Sequence, residues 1–287
     1  MYNPSPLRYP GGKGKTYDYI KQLITYNNCS CYIEPFAGGA GVALKLLLNG
    51  DVNRIIINDY DRAIFAFWHS VLYETDALID LIIKTPITME CWYQQKEIQN
   101  QKETSPLLAL GFSTLFLNRT NRSGILKGGV IGGKQQNGKY KMDCRFPKDK
   151  IIKKIKIISE FKDFIKVENM DALDFIDEKI LKTRNSFTFF DPPYFSKGPS
   201  LYTNFYTEKD HIELSKKIKT KLRNRKWIVT YDMCDPIKKM YKNLDYIEFY
   251  LTYTVQLKTQ GKEYMFFSKK TIVPREQAIP LKLVTNS

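Results

Sequence analysis

The stretch CYIEPFAGGAGVALKLLLNGDVNRIIIND, residues 31–59, narrows the choice of folds more than any other part of the chain. CYIEPF is a short apolar run that stops at a glycine cluster, and Ala40, Ala43, Leu44, Leu47 and Leu48 then recur at helical spacing. RIIIND (54–59) is a second short β-branched run, with Gly50 ahead of it. Strand, glycine turn, helix and strand within about 30 residues make one βαβ unit. The alternation returns late in the chain. IKVENM (165–170) and SFTFFD (186–191) predict strands flanking a helix over 172–182, and KWIVTYD (226–232) predicts another buried strand. Before it, segment 208–224 carries Leu214, Ile218 and Leu222 on one helical face. IEFYLTYTV and EYMFFS, close together around a turn at Gly261, predict a terminal antiparallel hairpin. The fold class is therefore α/β, an open and mostly parallel sheet.

Between the two α/β portions the texture changes. From about 61 to 117 the periodicity is helical, through Ile64, Phe65, Trp68, Val71 and Leu72 and again through Leu107, Leu108, Leu110, Phe112 and Leu115. From Asn118 to Lys154 the chain is glycine-rich and holds eleven Lys or Arg against two Asp. A long connection of this kind is usually a functional insertion. The division expected is 1–62 and 151–287 for the α/β domain, with 63–150 inserted. A formal charge of +15 over 287 residues points to a polyanionic partner, nucleic acid first. The sequence carries no secretory signal pattern and no apolar stretch near the roughly 18 residues of a membrane span, so a cytoplasmic protein is expected. Five cysteines without C-x-x-C spacing favour neither a disulfide framework nor zinc, and Cys29 and Cys31 are expected to share one strand face. With His69 and His211 the only histidines, histidine catalysis has little to draw on and no metal is expected.

RYPGGKGKT (8–16) has the glycines, lysines and threonine of a phosphate loop, but Tyr9 stands where the first glycine of that loop belongs and no apolar strand leads in. In EPFAGGAG (34–41) the glycines sit where strand turns to helix, the place where such sheets bind nucleotides, and Asp59 follows at the distance of a ribose-binding acid. The dinucleotide fingerprint fails because Leu44 replaces its third glycine. A nucleoside cofactor without phosphates fits better, and S-adenosylmethionine is one. The sharpest signal is DPPY (191–194), directly after SFTFF. This tetrapeptide arises by chance in about two chains per thousand of this length. An exocyclic amine on a base is a poor nucleophile because its lone pair is delocalised into the ring. If Asp191 and the Pro192 carbonyl each accept one N–H, the nitrogen is drawn toward tetrahedral geometry. Pro192 and Pro193 stiffen the turn, and Tyr194 offers a flat surface for a base. Glu34 and Asp191 would further favour a cationic methyl sulfonium.

In these motifs the chain resembles the Dam-type adenine-N6 DNA methyltransferases of the alpha group, the D12 class, over nearly its whole length. Their aromatic-x-Gly-Gly-Lys segment, F-x-G-x-G loop, inserted target-recognition domain and D-P-P-Y loop follow one another here as Tyr9 to Lys13, Phe36 to Gly41, the basic insert and Asp191 to Tyr194. The resemblance implies a Rossmann-like fold, S-adenosylmethionine as cofactor and direct in-line methyl transfer to N6 of a flipped-out adenine in double-stranded DNA. It places Tyr9, Lys13, Glu34, Phe36, Gly38, Gly41, Asp59, Asp171 and Asp191 around the cofactor. Lys13 would suit the methionine carboxylate on charge grounds. FLNRTNRSG (116–124) also resembles the family, with Arg119, Asn121 and Arg122 expected on DNA. Lys127, Lys134, Lys139, Lys141 and Arg145 are expected mostly on phosphates, and Asn118 to brace the loop. The basic run from Lys216 to Lys226 reads as the outer face of a packed helix. SLYTNFYTEKDH (200–211) offers Tyr202, Phe205 and Tyr206 for stacking on a base or for packing, and IVTYD brings Tyr231 and Asp232 toward the pocket floor. The alternative substrates are RNA adenine or a protein glutamine. A cognate restriction endonuclease and a monomer or weak dimer complete the expectation.

Overall fold

The computed structural model describes residues 3–8, 13–196, 206–255, 257–274 and 281–284, with only backbone described between 251 and 260. Its strands are β1 (Cys31–Glu34), β2 (Arg54–Asn58), β3 (Ile165–Glu168), β4 (Ser186–Phe190), β5 (Lys226–Asp232), β6 (Tyr246–Val255) and β7 (Leu257–Phe267). Among the described residues they form one mixed sheet in the order β3-β2-β1-β4-β5-β7-β6. The first five run parallel, and β7 is antiparallel to both β5 and β6. This is the open, mostly parallel α/β arrangement expected from the alternation of apolar runs.

The pleat divides the core. Tyr32, Ile55, Ile57, Phe187, Phe189 and Ile228 pack on one face, under α1 (Tyr17–Tyr26), α2 (Gly41–Leu48) and α3 (Arg62–Tyr73). Continuous with that cluster are α4 (Thr75–Lys84), α5 (Met89–Asn100), α6 (Leu107–Thr120) and α7 (Lys148–Ser159), through Leu78, Trp92, Phe116 and Ile155. Cys31, Ile33, Ile56, Phe190, Val229 and Tyr231 face the other way, onto α8 (Ala172–Phe175), α9 (Glu208–Lys221) and α10 (Asp235–Met240). β4 is buried over all five residues, as a strand covered on both faces should be. Its apolar side chains, Phe187, Phe189 and Phe190, each contribute about 1.5–3 kcal/mol of burial.

Three local expectations are corrected. The helix over 172–182 is α8 followed by a π-helical turn, Ile176–Ile180. Gly261 is not the hairpin turn: it lies inside β7 opposite Leu251, and the ladder continues to Val255↔Leu257 because a missing side chain does not interrupt backbone pairing. Cys29 and Cys31 are both buried but lie in opposite layers, since the chain bends at Ser30 before β1 begins and strand alternation does not reach Cys29. No helix among the described residues is long and apolar enough to cross a membrane.

Candidate active site

Sheet order reverses between β1 and β4: the chain goes from β1 outward through β2 to β3, and from β4 the other way to β5. Loops at the carboxyl ends of the two strands must diverge there, which opens a crevice. EPFAGG leaves β1 and DPPY leaves β4 at this edge, with Ile33 in register with Thr188.

On the β1–β2 side the glycine loop is held by main-chain bonds. Ala37 N donates to the Asn58 carbonyl at 2.8 Å, and the Gly38 carbonyl accepts from Trp68 Nε1 at 2.9 Å. Gly38 takes φ 46°, a left-handed value suited to glycine. Its N–H donates to Asp59 Oδ2 at 2.9 Å, and Asp61 N donates to Oδ1 at 2.9 Å. Each Asp59 oxygen thus keeps a lone pair for a further donor. Burial first, and then the charge of Asp61, push its carboxyl up to about 7. Ala40 precedes α2 without a side-chain cap, and the buried Glu34 fills that role by accepting from Ala43 N at 3.2 Å. Burial raises Glu34 to about 8, with Asp191 adding to the effect. A phosphate at this helix start would meet a carboxyl. Asp171 caps α8 by accepting from Leu173 N at 2.8 Å. Phe36 meets Tyr206 edge-on at 5.8 Å, and the Tyr206 phenol is raised by burial with Asp171 and Asp59 contributing, so these groups share one neighbourhood. Gly41 opens α2 beside Asn3.

The β4–β5 side is built from distant parts of the chain. Lys13 is buried, and its Nζ lies 2.9 Å from Asp191 Oδ1, 3.1 Å from the Tyr194 hydroxyl and 3.3 Å from Glu263 Oε1. The Tyr194 hydroxyl donates to Glu263 Oε1 at 2.6 Å, and Thr230 Oγ1 donates to Asp191 Oδ1 at 2.7 Å. Asp232 accepts from the main-chain N–H groups of Phe195 and Ser196, at 2.9 and 3.0 Å, and so pins the loop just after DPPY. Tyr231 points to the other face, its hydroxyl 2.8 Å from Nδ1 of His211, whose imidazole burial pulls down to about 4. Tyr194 is 5% exposed, with its hydroxyl held between Lys13 and Glu263, so little of its ring is open to a base. Charge alone pairs Lys13 with a cofactor carboxylate, whereas here its ammonium faces Asp191. Thr230 and Glu263 escaped sequence reasoning; the T-Y-D alternation at the end of β5 is the one signal for Thr230.

Tyr9, Gly11 and Gly12 lie outside the described residues, as do Tyr202 and Phe205. In the insert, Arg122, Lys127, Lys134, Lys139, Lys141 and Arg145 are exposed. Asn121 is different: it is fully buried, accepting from Trp92 Nε1 at 2.7 Å and donating to the carbonyls of Ile125 and Leu126. Its amide closes the loop, which leaves no group for a base edge. Arg119 is half-buried on the carbonyls of Pro6 and Arg145, and burial followed by the Arg8 charge lowers its guanidinium to about 10, still cationic at neutral pH. Asn118 braces the loop, accepting from Arg8 N and donating to the carbonyls of Arg8 and Gly124. A Cβ on Gly124, at φ +79°, would collide with the Arg8 carbonyl. On α9 and beyond, Lys217 pairs with Asp177, Lys219 reaches the Met240 carbonyl and Arg225 the carbonyls of Leu181 and Thr183, as expected of a structural face.

Residues 9–255 match the D12 class N6 adenine-specific DNA methyltransferase family. The chain belongs to that family. It is an adenine-specific DNA methyltransferase that uses S-adenosylmethionine. It is similar to the type II methyltransferase M.MjaIII of Methanocaldococcus jannaschii, 26% identical over 236 residues that cover 73% of this chain and 77% of that protein. It is also similar to the type II methyltransferase M.CviBI of Paramecium bursaria Chlorella virus NC1A, 24% identical over 258 residues, 88% of this chain and 91% of that one. Among solved structures, an rRNA methyltransferase, aviRa of Streptomyces viridochromogenes, aligns at 9% identity and TM-score 0.40, covering 92% of this chain and 88% of that one.

Proposed function

We propose that the crevice between β1 and β4 is the methyl-transfer site, acting on N6 of an adenine swung out of double-stranded DNA at a sequence read by residues 63–150. The observation that carries this is Asp191: one of its oxygens is held by Lys13 and Thr230, at the edge where the Glu34 and Asp59 loops converge. The residues fit the cofactor. Asp59 keeps acceptor lone pairs for a ribose diol, Glu34 is a buried carboxyl suited to a cation, and Phe36 and Tyr206 flank the site with flat rings. Gly38, Gly41 and Asp171 complete the lining. When bound, S-adenosylmethionine would supply an electrophilic methyl carbon whose bond to sulfur breaks as the amine nitrogen bonds to it, leaving a neutral thioether, and Asp191 is placed to take the proton that the amine sheds.

Asp191 and the Pro192 carbonyl accept the two N–H bonds of the amine and aim its lone pair along the transfer axis. Pro193 holds that turn, and Tyr194 lies against the base. Extrusion is required because the amine is paired inside a duplex. Arg122, Lys127, Lys134 and Lys139 meet the DNA, mostly at phosphates, while Arg119 and Asn121 shape the loop that presents them. The type II names of both relatives support a companion restriction endonuclease, and a DNA substrate suits a cytoplasmic protein working as a monomer or weak dimer.

The test is incubation with methyl-labelled cofactor and unmethylated duplex DNA, RNA and protein, followed by digestion to nucleosides and amino acids. Label is expected in N6-methyladenine of duplex DNA. Asp191→Ala should lower the rate by at least about 10²–10³, the scale of losing one preorganised electrostatic contact. Label in RNA adenine or glutamine instead, or an undiminished Asp191→Ala rate, would overturn the assignment.

A further inference from the structure

Glu263 belongs to none of the motifs, yet it is fully buried on β7, in register with Asp232 of β5. A carboxylate taken out of water is costly unless charge and hydrogen bonds compensate. Here compensation comes from the Lys13 ammonium and from the Tyr194 hydroxyl of the loop after β4. Glu263 Oε1 accepts the Tyr194 hydroxyl at 2.6 Å and lies 3.3 Å from Lys13 Nζ. Lys13 in turn donates to the Tyr194 oxygen at 3.1 Å and pairs with Asp191 Oδ1 at 2.9 Å. One ammonium, one carboxylate and one phenol therefore close a ring, from which Lys13 reaches out to the second carboxylate, Asp191. Thr230 adds a second donor to the same Asp191 oxygen, so Oδ1 is doubly bonded and Oδ2 has no hydrogen bond among the described residues.

We propose that Glu263 is a positioning residue for methyl transfer: it holds Lys13 and Tyr194 so that Lys13 shares Oδ1 of Asp191 with Thr230, and Oδ2 is the oxygen presented to the adenine amine. The proposal rests on Asp191 being the acceptor of that amine. A lysine whose only counter-charge was Asp191 could straddle both carboxylate oxygens and compete with the amine. A second carboxylate behind it draws the ammonium back to one side. Glu263 also fixes the phenol, and with it the ring beside the base.

The decisive variants are Glu263→Gln, which keeps an acceptor for Tyr194 but removes the charge facing Lys13, and Glu263→Asp, which keeps the charge on a shorter stem. Folding is checked by thermal unfolding, cofactor affinity by titration calorimetry and chemistry by single-turnover methylation of duplex DNA. Glu263→Gln is expected to slow the chemical step about 10–100-fold, with cofactor affinity within about threefold of wild type. Glu263→Asp is expected to recover part of the rate. Combined with Tyr194→Phe, Glu263→Gln should cost less than the product of the two single effects, because both act through one ring of contacts. A wild-type rate in folded Glu263→Gln, multiplicative effects in the double variant, or a loss entirely accounted for by cofactor affinity would each overturn the proposal. Asp191→Ala measured alongside separates the failures. A slow Asp191→Ala with a wild-type Glu263→Gln removes only the role of Glu263, and an active Asp191→Ala removes the acceptor assignment beneath it.

Discussion

The two walls of the crevice are built in opposite ways. On the β1–β2 side, the proposed cofactor wall, Glu34, Gly38 and Asp59 come from one βαβ unit, and the bonds that hold the glycine loop run between residues within about 30 positions of one another, although Asn58 and Asp59 also bond to the distant β3 and the residues after it. On the β4–β5 side, the proposed catalytic wall, the contacts of Asp191 reach back to Lys13 and forward to Thr230, with Glu263 behind them. A wall made of local contacts can form with its own strands. A wall made of distant ones needs the whole sheet closed, including β7 between β5 and β6, before its acid is aimed. Cofactor capture and catalytic alignment should therefore fail separately.

The largest separation is expected from Asp59→Ala. Losing two hydrogen bonds to a charged group should weaken S-adenosylmethionine binding about 100-fold in calorimetry, while the rate at saturating cofactor stays within about threefold. Thr230→Val works the other way. It removes one donor from Asp191 at nearly constant volume and should slow single-turnover methylation about tenfold with cofactor affinity unchanged. If either variant moved both quantities together, the two walls would not be independent.

The cofactor wall also carries a pH signature. Burial holds Glu34 up at about 8 and Asp59 up at about 7, so both are partly protonated near neutrality in the cofactor-free protein. A cation and a ribose diol favour the ionised forms, so binding releases protons and affinity rises with pH through this window, levelling off above about 8. Calorimetry in buffers of different ionisation heat measures the release, and Asp59→Asn should remove its lower part. The smallest effect belongs to the insert. Arg122→Ala or Lys127→Ala should each reduce the salt dependence of DNA binding by about one unit of slope in fluorescence titrations, leaving cofactor affinity and chemistry on bound DNA unchanged.

The same contrast explains what could be read from the residues alone. The βαβ unit and DPPY are legible because apolar period, glycine and proline report local backbone, and the strand edge where such motifs gather follows from the parallel topology. Glu263 is silent in TQGKEYMFF, where it opens the expected strand EYMFFS as a lone acid just after the expected turn; its burial beside Asp232 of β5 is decided by the strand pairing. Lys13 is visible as a charge but not as the partner of Asp191, since no spacing relates positions so far apart. Asn121 looks like a reader of bases because asparagine can bond adenine, yet the same amide serves equally well to tie the carbonyls of Ile125 and Leu126 inside a loop. Hydrogen-bonding capacity is written in the residue type, and its partner is decided by the fold.

The most direct measurement is a structure of the protein with duplex DNA and a non-transferable analogue of S-adenosylmethionine. An extruded adenine is expected there, its amine within hydrogen-bond distance, about 3 Å, of Asp191 Oδ2 and of the Pro192 carbonyl, while Lys13 and Thr230 keep Oδ1. An amine held away from Asp191, or Lys13 withdrawn from Glu263 onto Oδ2, would contradict it.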